Sequence, residues 1–238
     1  MGYIDFDRLE QIDEKAYQAQ RPFPWSNPEK LLTDEGFERL YETLPDISIF
    51  ASSAGVQRKN TQASHDRFML EYRDEVSLSE PWREFMAELQ GRRYRENLSR
   101  LMDNSSMVLN FHWHYTPNGC SVSPHCDSVR KLGSHIFYFN KQEDWDPAWG
   151  GETLILDDGG RFNPKSAHGL AEFERQIPSQ AIGNRSLIFS RTDRSWHGVG
   201  EITCPPGHYR KVFIVVINAN GPVDRLRRLI QRRGLSYY

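Results

Sequence analysis

Apolar positions recur with two different periods along this chain, and the change falls near residue 102. Before it the spacing is helical. Thr33 can cap a helix whose first turn carries Asp34 and Glu35, with Phe37, Leu40, Tyr41 and Leu44 on one face and Pro45 as a stop. Ser79, Glu80 and Pro81 open another, with Trp82, Phe85, Met86 and Leu89 on one stripe and Gly91 at its end. Between them, 67–72 reads as a strand. From Met107 onward the period falls to two, and 107–115, 133–140, 152–157, 186–189 and 210–218 read as strands separated by Gly, Pro, Asn and Asp. Helices first and strands second predict a mainly β protein with packing α-helices (α+β), the helices set against a β-sandwich or small barrel.

Three stretches stand apart. The segment 158–184 is too long for a hairpin loop, and 166–177 inside it is expected to form a helix capped by Ser166. The polar stretch 53–65, with Arg58, Lys59 and Asn60, reads as a solvated loop or as the border of an entrance. The C-terminal tail spaces Leu226, Leu229 and Ile230 on one face with arginines around them. It is expected either to dock on the core with its charges in water or to meet an acidic partner or membrane surface.

Length and charge narrow the classes. A chain of 238 residues fits a single domain, read as a helix-rich supporting region 1–106, a β core 107–220 and a basic helix or tail 221–238. It can bury roughly 70% of its unfolded surface, so any metal would serve chemistry and not folding. The near-balance of 30 Lys and Arg against 32 Asp and Glu gives no basic field for nucleic acid, although the last fifteen residues hold five Arg and one Asp. Cys120, Cys126 and Cys204 are odd in number and lack any CxxC, which argues against a disulfide framework or structural zinc and for a reducing, cytoplasmic compartment. No stretch approaches 18 apolar residues, so no membrane span is expected.

The candidate chemistry begins at His125-Cys126-Asp127. On a strand, side chains at i and i+2 leave the same face, so imidazole and carboxylate can converge on one ion. With eight His and fifteen Asp in the chain such a pair arises readily by chance, and alone it says little. His197 in Ser195-Trp196-His197-Gly198-Val199, just after the apolar run 187–189, can bring a third ligand from another strand. Two His and one carboxylate on one face of a metal form the facial triad of non-haem Fe(II) oxygenases. Arg210 opens the apolar strand 210–218, where a fixed guanidinium suits a dicarboxylate. Lys211 competes for that role, because both parities of the strand are apolar.

Together these pieces resemble the 2-oxoglutarate and iron(II)-dependent oxygenases, in the prolyl 4-hydroxylase-like branch. The matching features are Tyr115 ten residues before His125, the strand Ile136-Phe137-Tyr138-Phe139-Asn140, Gly150-Gly151-Glu152-Thr153-Leu154, the run from Asn184 to Phe189 leading into Trp196-His197-Gly198-Val199, and the arginine that opens the last strand. The resemblance covers about 110–218 and implies a double-stranded β-helix (jelly-roll) core. It implies Fe(II) on His125, Asp127 and His197, 2-oxoglutarate paired through its distal carboxylate with Arg210, hydrogen bonds from Tyr115 and Tyr138 near that carboxylate, O2 as oxidant and ascorbate as a candidate reductant. The reaction implied is hydroxylation of a C–H bond of an amino-acid, prolyl or other small-molecule substrate, or of a peptide, with formation of succinate and CO2. Asp127 itself favours hydroxylation, since halogenating relatives replace this carboxylate with a small residue.

Competing readings stay open. Tyr115 and Tyr138 also suit ordinary core positions. His112 and His114 share a strand face and could imitate a metal pair, but they alternate with Tyr115 and point away from the site if Tyr115 points in. Trp145, Trp149 and Trp196 suit packing or a substrate platform. The insertion 158–184 is longer than the corresponding link in the family and leaves a prolyl substrate open. A sugar-directed or non-catalytic β-helix that keeps the metal site, and a metal-independent interaction module built on the basic tail, are the alternatives. A cupin-type enzyme is disfavoured because no His, His, Glu set of the required spacing surrounds His125.

Overall fold

The computed structural model describes residues 2–52 and 67–221. The expectations for 53–65 and for the tail beyond residue 221 lie outside the described residues. In the N-terminal part, α1 (Phe6–Glu10) and α2 (Glu14–Ala19) start at Asp5 and Asp13, whose carboxylates accept from backbone N–H groups of the first turn. A short β1 (Trp25–Ser26) leads to α3 (Asp34–Glu42), where Thr33 Oγ1 accepts from Gly36 N at 3.1 Å. After β2 (Ala51–Ser52) and β3 (Phe68–Glu71) comes α4 (Glu80–Gln90), with Pro81 in its first turn. Ser79 sits at the cap position, but its hydroxyl donates to Thr43 O and caps nothing. Gly91 does end that helix, and α5 (Arg92–Met102), which the periodicity did not separate, starts directly after it.

The remaining strands are β4 (Met107–Thr116), β5 (Val122–His125), β6 (Lys131–Tyr138), β7 (Leu154–Asp157), β8 (Arg175–Pro178), β9 (Ser186–Ser190), β10 (His197–Val199) and β11 (Arg210–Ala219). They form two antiparallel sheets, a seven-stranded one ordered β1-β9-β6-β11-β4-β3-β2 and a four-stranded one ordered β5-β10-β7-β8. The whole is a jelly-roll, the double-stranded β-helix that the resemblance implied.

Both faces of the large sheet are buried, each for its own reason. Its outer face carries Phe111, Trp113, Tyr115, Phe137, Phe213 and Val215 into one core with the apolar stripes of α3, α4 and α5. Trp82 of α4 is the hub: its ring lies 5.0 Å from Trp113 and 5.1 Å from Phe213, and its Nε1 donates to Leu40 O at 3.2 Å. Burying a ring of this size removes roughly 150–250 Å² from water, about 4–6 kcal/mol at about 25 cal/mol per Å². The inner face turns Ile136, Tyr138, Leu187, Phe189 and Val212 toward Ile155 of the small sheet. The helices thus brace one face of the sheet and leave the other free to line an interior.

The helix expected at 166–177 is absent. That stretch forms one 3-10 turn at Leu170–Glu172 and then β8, which pairs with β7 from Leu154 opposite Pro178 to Asp157 opposite Arg175. Glu172 folds back on the turn, accepting from Gly169 N at 2.6 Å and lying 2.9 Å from His168 Nδ1. Phe162 and Phe173 pack on Trp196, with ring centroids 6.2 and 5.5 Å away. Edge pairing and burial of these two rings outweigh the weak helical pattern. Trp196 is fully buried under the insertion and is no surface platform.

Candidate active site

Strands β5 and β10 run antiparallel with His125 directly opposite His197. Gly198 permits that approach, because a Cβ there would stand 2.8 Å from Val122 O. The two imidazole centroids are 4.3 Å apart. In each ring Nδ1 is 2.9 Å from the carbonyl oxygen two residues upstream, Ser123 O for His125 and Ser195 O for His197. A carbonyl can only accept, so Nδ1 carries the proton, and in the neutral ring the lone pair is on Nε2. Backbone bonds of this kind are the usual outer support of a metal-binding histidine.

Strand β5 ends at His125, so Asp127 reaches the same centre from the following loop and not by strand alternation. One ligand atom from each of His125, Asp127 and His197 lies within 4.8 Å of the others. Asp127 is nearly sealed from water, and Lys131 Nζ donates to Oδ1 at 2.7 Å while Ser134 Oγ approaches Oδ2 at 3.5 Å. Burial pushes its pKa up, but Lys131 and then the two histidines outweigh burial and hold the carboxyl well below the usual carboxylate range. Two neutral imidazole nitrogens and one carboxylate oxygen are the donor set of a divalent first-row metal with open positions. Cys126 turns the other way, packing against Leu156, Phe173 and Trp196, and burial pushes its thiol up to about 12.

A second polar group lies on the inner face of the large sheet. Arg210 is buried, its Nε donates to Gly151 O and its terminal nitrogen to Thr153 Oγ1 at 3.1 Å. Gly151 has φ +100°, and a Cβ there would stand 3.2 Å from Arg210 Cδ, so only glycine lets this backbone lie along the guanidinium. The Tyr138 hydroxyl is 2.9 Å from both Thr153 Oγ1 and Ser179 Oγ, and the guanidinium lies 5.7 Å from the Tyr138 ring centroid. Burial lowers the pKa of Arg210, but a guanidinium stays charged at neutral pH. Among the described residues it forms no ion pair. A buried cation held only by neutral groups is suited to an anionic ligand.

Arg210, and not Lys211, therefore faces the interior: Lys211 Nζ pairs with Asp144 at 3.1 Å on the other side. Tyr138 joins Arg210 as expected from the sequence, whereas Tyr115 does not. Tyr115 stands opposite Lys211 in the β4–β11 register and so shares its outer face, where its hydroxyl donates to Pro45 O at 3.0 Å and its ring lies 4.4 Å from Phe50. Thr116 is the β4 residue opposite Arg210. The same parity turns His112 and His114 inward, contrary to the sequence expectation. Thr153, Ser179, Lys131 and Ser134 escaped sequence reasoning; for Thr153 the preceding Gly150-Gly151 pair was the available signal. Trp145 is buried beside Trp149, Ile202 and Cys204, and it flanks the Arg210 group: its Nε1 donates to Gly150 O at 2.9 Å, and a Cβ on Gly151 would stand 3.4 Å from its ring.

Residues 110–217 match the model of the 2OG-Fe(II) oxygenase superfamily. No curated protein sequence matches the chain. Among solved structures, a prolyl-4-hydroxylase from Pseudomonas putida aligns with a TM-score of 0.59 at 14% identity, over 83% of this chain and 93% of that one. A prolyl hydroxylase from Trichoplax adhaerens, solved with a hypoxia inducible factor peptide fragment, gives 0.59 at 13% identity over 94% and 93%. The carbocyclase SnoK of nogalamycin biosynthesis gives 0.59 at 11% identity over 92% of both. These structural likenesses show the fold. No helix among the described residues is long and apolar enough to cross a membrane.

Proposed function

Taking as premise that residues 110–217 form a domain of the 2OG-Fe(II) oxygenase superfamily, we propose that this chain is a dioxygenase that hydroxylates a C–H bond of an amino-acid, prolyl or other small-molecule substrate. The family uses Fe(II), 2-oxoglutarate and O2. His125, Asp127 and His197 would hold the iron, and Arg210 with Thr153 and Tyr138 would take the distal carboxylate of 2-oxoglutarate. The observation that carries this reading is the convergence of the three ligand atoms within 4.8 Å, with both imidazoles presenting an unprotonated Nε2.

When bound, iron with its cosubstrates supplies oxidation of a C–H bond coupled to release of succinate and CO2. The chain's own residues do the positioning. The backbone carbonyls of Ser123 and Ser195 fix the two rings, and Lys131 with Ser134 fixes the carboxylate of Asp127. Arg210 would set the depth of 2-oxoglutarate by two charge-assisted bonds, while Tyr138 and Ser179 keep Thr153 oriented. Phe189, 4.7 Å from the His197 ring, and Ile155, opposite His197, give the centre apolar walls that exclude water.

The similar solved structures include prolyl hydroxylases, a carbocyclase and an epimerase, so the scaffold by itself leaves the substrate open. We read one domain, with 1–106 as support and 107–220 as the catalytic core, working in a reducing cytoplasmic compartment. The test is aerobic incubation with Fe(II), 2-oxoglutarate and panels of free amino acids and prolyl peptides. Stoichiometric succinate and a product heavier by one oxygen atom support the function; no succinate above a metal-free control, with or without these additions, contradicts it.

A further inference from the structure

Two histidines on β4 stand between Val212, Ile214 and Ile136 on one side and Met69 and Glu71 of β3 on the other, and neither belongs to the triad or to the Arg210 group. In the β4–β11–β6 rows, His114 is opposite Val212 and Tyr138, and His112 is opposite Ile214 and Ile136. Both rings therefore leave the inner face, the one that carries Arg210, Tyr138 and Ser134. Their centroids are 6.0 Å apart. Among the described residues neither imidazole has a hydrogen-bond partner, and His112 Nδ1 and His114 Nε2 are sealed from solvent. Each ring is only partly buried, and the nitrogen left open is the other one, Nε2 of His112 and Nδ1 of His114.

That asymmetry sets the tautomers. A sealed N–H with no acceptor costs on the order of 1–3 kcal/mol, so each neutral ring places its proton on the open nitrogen. Burial keeps both rings neutral: it pushes His112 down to about 4 against the opposing pull of Glu71, and with Arg67 beside it pushes His114 well below the ordinary histidine value. The pair thus shows two N–H donors to the interior. Arg67 and Lys131 act on both rings, Arg73 and Glu71 on His112, and Arg210 on His114. Arg73 is paired with Glu71 at 2.8 Å and Lys131 with Asp127 at 2.7 Å, so the positive surplus rests on Arg210, which forms no ion pair among the described residues. Two donors in a positive field suit an anionic acceptor and repel an ammonium group.

Resting on the proposed oxygenase function, we propose that His112 and His114 form the substrate subsite and receive a carboxylate group of the substrate, through His112 Nε2–H and His114 Nδ1–H. The position fits this role. Asp127 stands over Ser134 on β6, in the row of Val216 and Asn110, so the metal-side carboxylate is two strand spacings of about 4.8 Å across from β4 and two residues, about 7 Å, along the strands from the row of His112. An acid anchored at the pair has to reach across and along β11 to bring a C–H bond to the metal. The substrate class is therefore carboxylic acids, free amino acids or peptide C-termini included, and internal prolyl sites of a chain without a nearby carboxylate are disfavoured.

The test uses the full chain loaded with Zn(II) and 2-oxoglutarate, which occupies Arg210, and follows the imidazole 15N resonances during titration with acetate, with acetamide as the uncharged counterpart. The resonances of His112 and His114 should move together and saturate with a millimolar Kd, and acetamide should leave them in place. His114→Phe should weaken the saturation read at His112 by about ten-fold or more, while His114→Gln, which keeps a donor, should retain it within a few fold. Resonances that stay put with acetate, or respond equally to acetamide, while 2-oxoglutarate binds stoichiometrically, would overturn the subsite. If 2-oxoglutarate itself does not bind, the oxygenase reading fails, and the acetate titration of the Zn(II) protein alone still decides whether the pair takes a carboxylate.

Discussion

His125 and His197 face one another across two antiparallel strands, and each hangs its Nδ1 on a carbonyl two residues upstream. One geometric device, used twice, turns both Nε2 lone pairs toward Asp127. The ion that would complete the set has to tolerate two nitrogens and one oxygen and to leave room for cosubstrates.

Replacing one ligand is therefore expected to remove the metal. Asp127→Ala should weaken Fe(II) or Co(II) binding by more than the roughly 10–100-fold typical of an outer-sphere change. Competition titration against a chromogenic chelator reads this. An affinity within a few fold of wild type would show that Asp127 is no ligand.

The sheet parity sets a contrast between neighbours. Arg210→Ala should raise the Kd for 2-oxoglutarate by roughly 30-fold or more, corresponding to about 2 kcal/mol or more for a buried charge contact. Lys211→Ala should leave that Kd within about two-fold, losing the outer-face pair with Asp144 and the contact with the Tyr41 ring. Calorimetric titration of the two variants distinguishes them. The reverse order would place the interior face on the other side of β11.

A second contrast separates the tyrosines. Tyr138→Phe removes the hydroxyl that orients Thr153 and Ser179, and should weaken 2-oxoglutarate by about 3–10-fold, the value of one hydrogen bond. Tyr115→Phe should leave 2-oxoglutarate unaffected and cost about 1 kcal/mol of stability through the lost bond to Pro45. Equal effects on 2-oxoglutarate would contradict the outward placement of Tyr115.

Stability should fall with acid, and His135 contributes to the slope beside His112 and His114. His135 is buried, bonds Tyr94 through Nδ1 at 2.8 Å, and burial pushes its pKa down to about 3. Because the folded pKa lies below the unfolded value near 6.5, the contribution is full above about pH 6.5 and is lost as pH falls toward 3. Urea unfolding across this range should show a slope from His135 of about 1.4 kcal/mol per pH unit. His135→Phe should flatten the profile by that amount, and an unchanged profile would refute the assignment.

Arg210 was readable in the sequence because a charged residue opens a strongly apolar strand, and the candidate ligands His125, Asp127 and His197 because of their order and spacing among the flanking matches. The face of Tyr115 was not. Period two gives a side only when one face is wet, and helices cover the outer face of this sheet as fully as the barrel covers the inner one, so Phe111, Trp113 and Tyr115 look no different from inward residues. The register of β4 on β11 decides the matter, and His112 and His114 move inward with it. β5, β8 and β10 are too short to show any period. At 166–177, helical spacing was overruled by Phe173 packing on Trp196 and by pairing of β8 with β7.

The most direct measurement of the central claim is spectroscopic. The protein is mixed anaerobically with Fe(II) and 2-oxoglutarate, the weak visible charge-transfer band of the chelate is recorded, and O2 is then admitted while succinate is followed. The band should form in the wild type, decay on exposure to O2 with release of succinate, and be absent in His197→Ala. A folded wild-type protein that gives neither band nor succinate would contradict the assignment of His125, Asp127 and His197 as the iron site of a 2-oxoglutarate-dependent oxygenase.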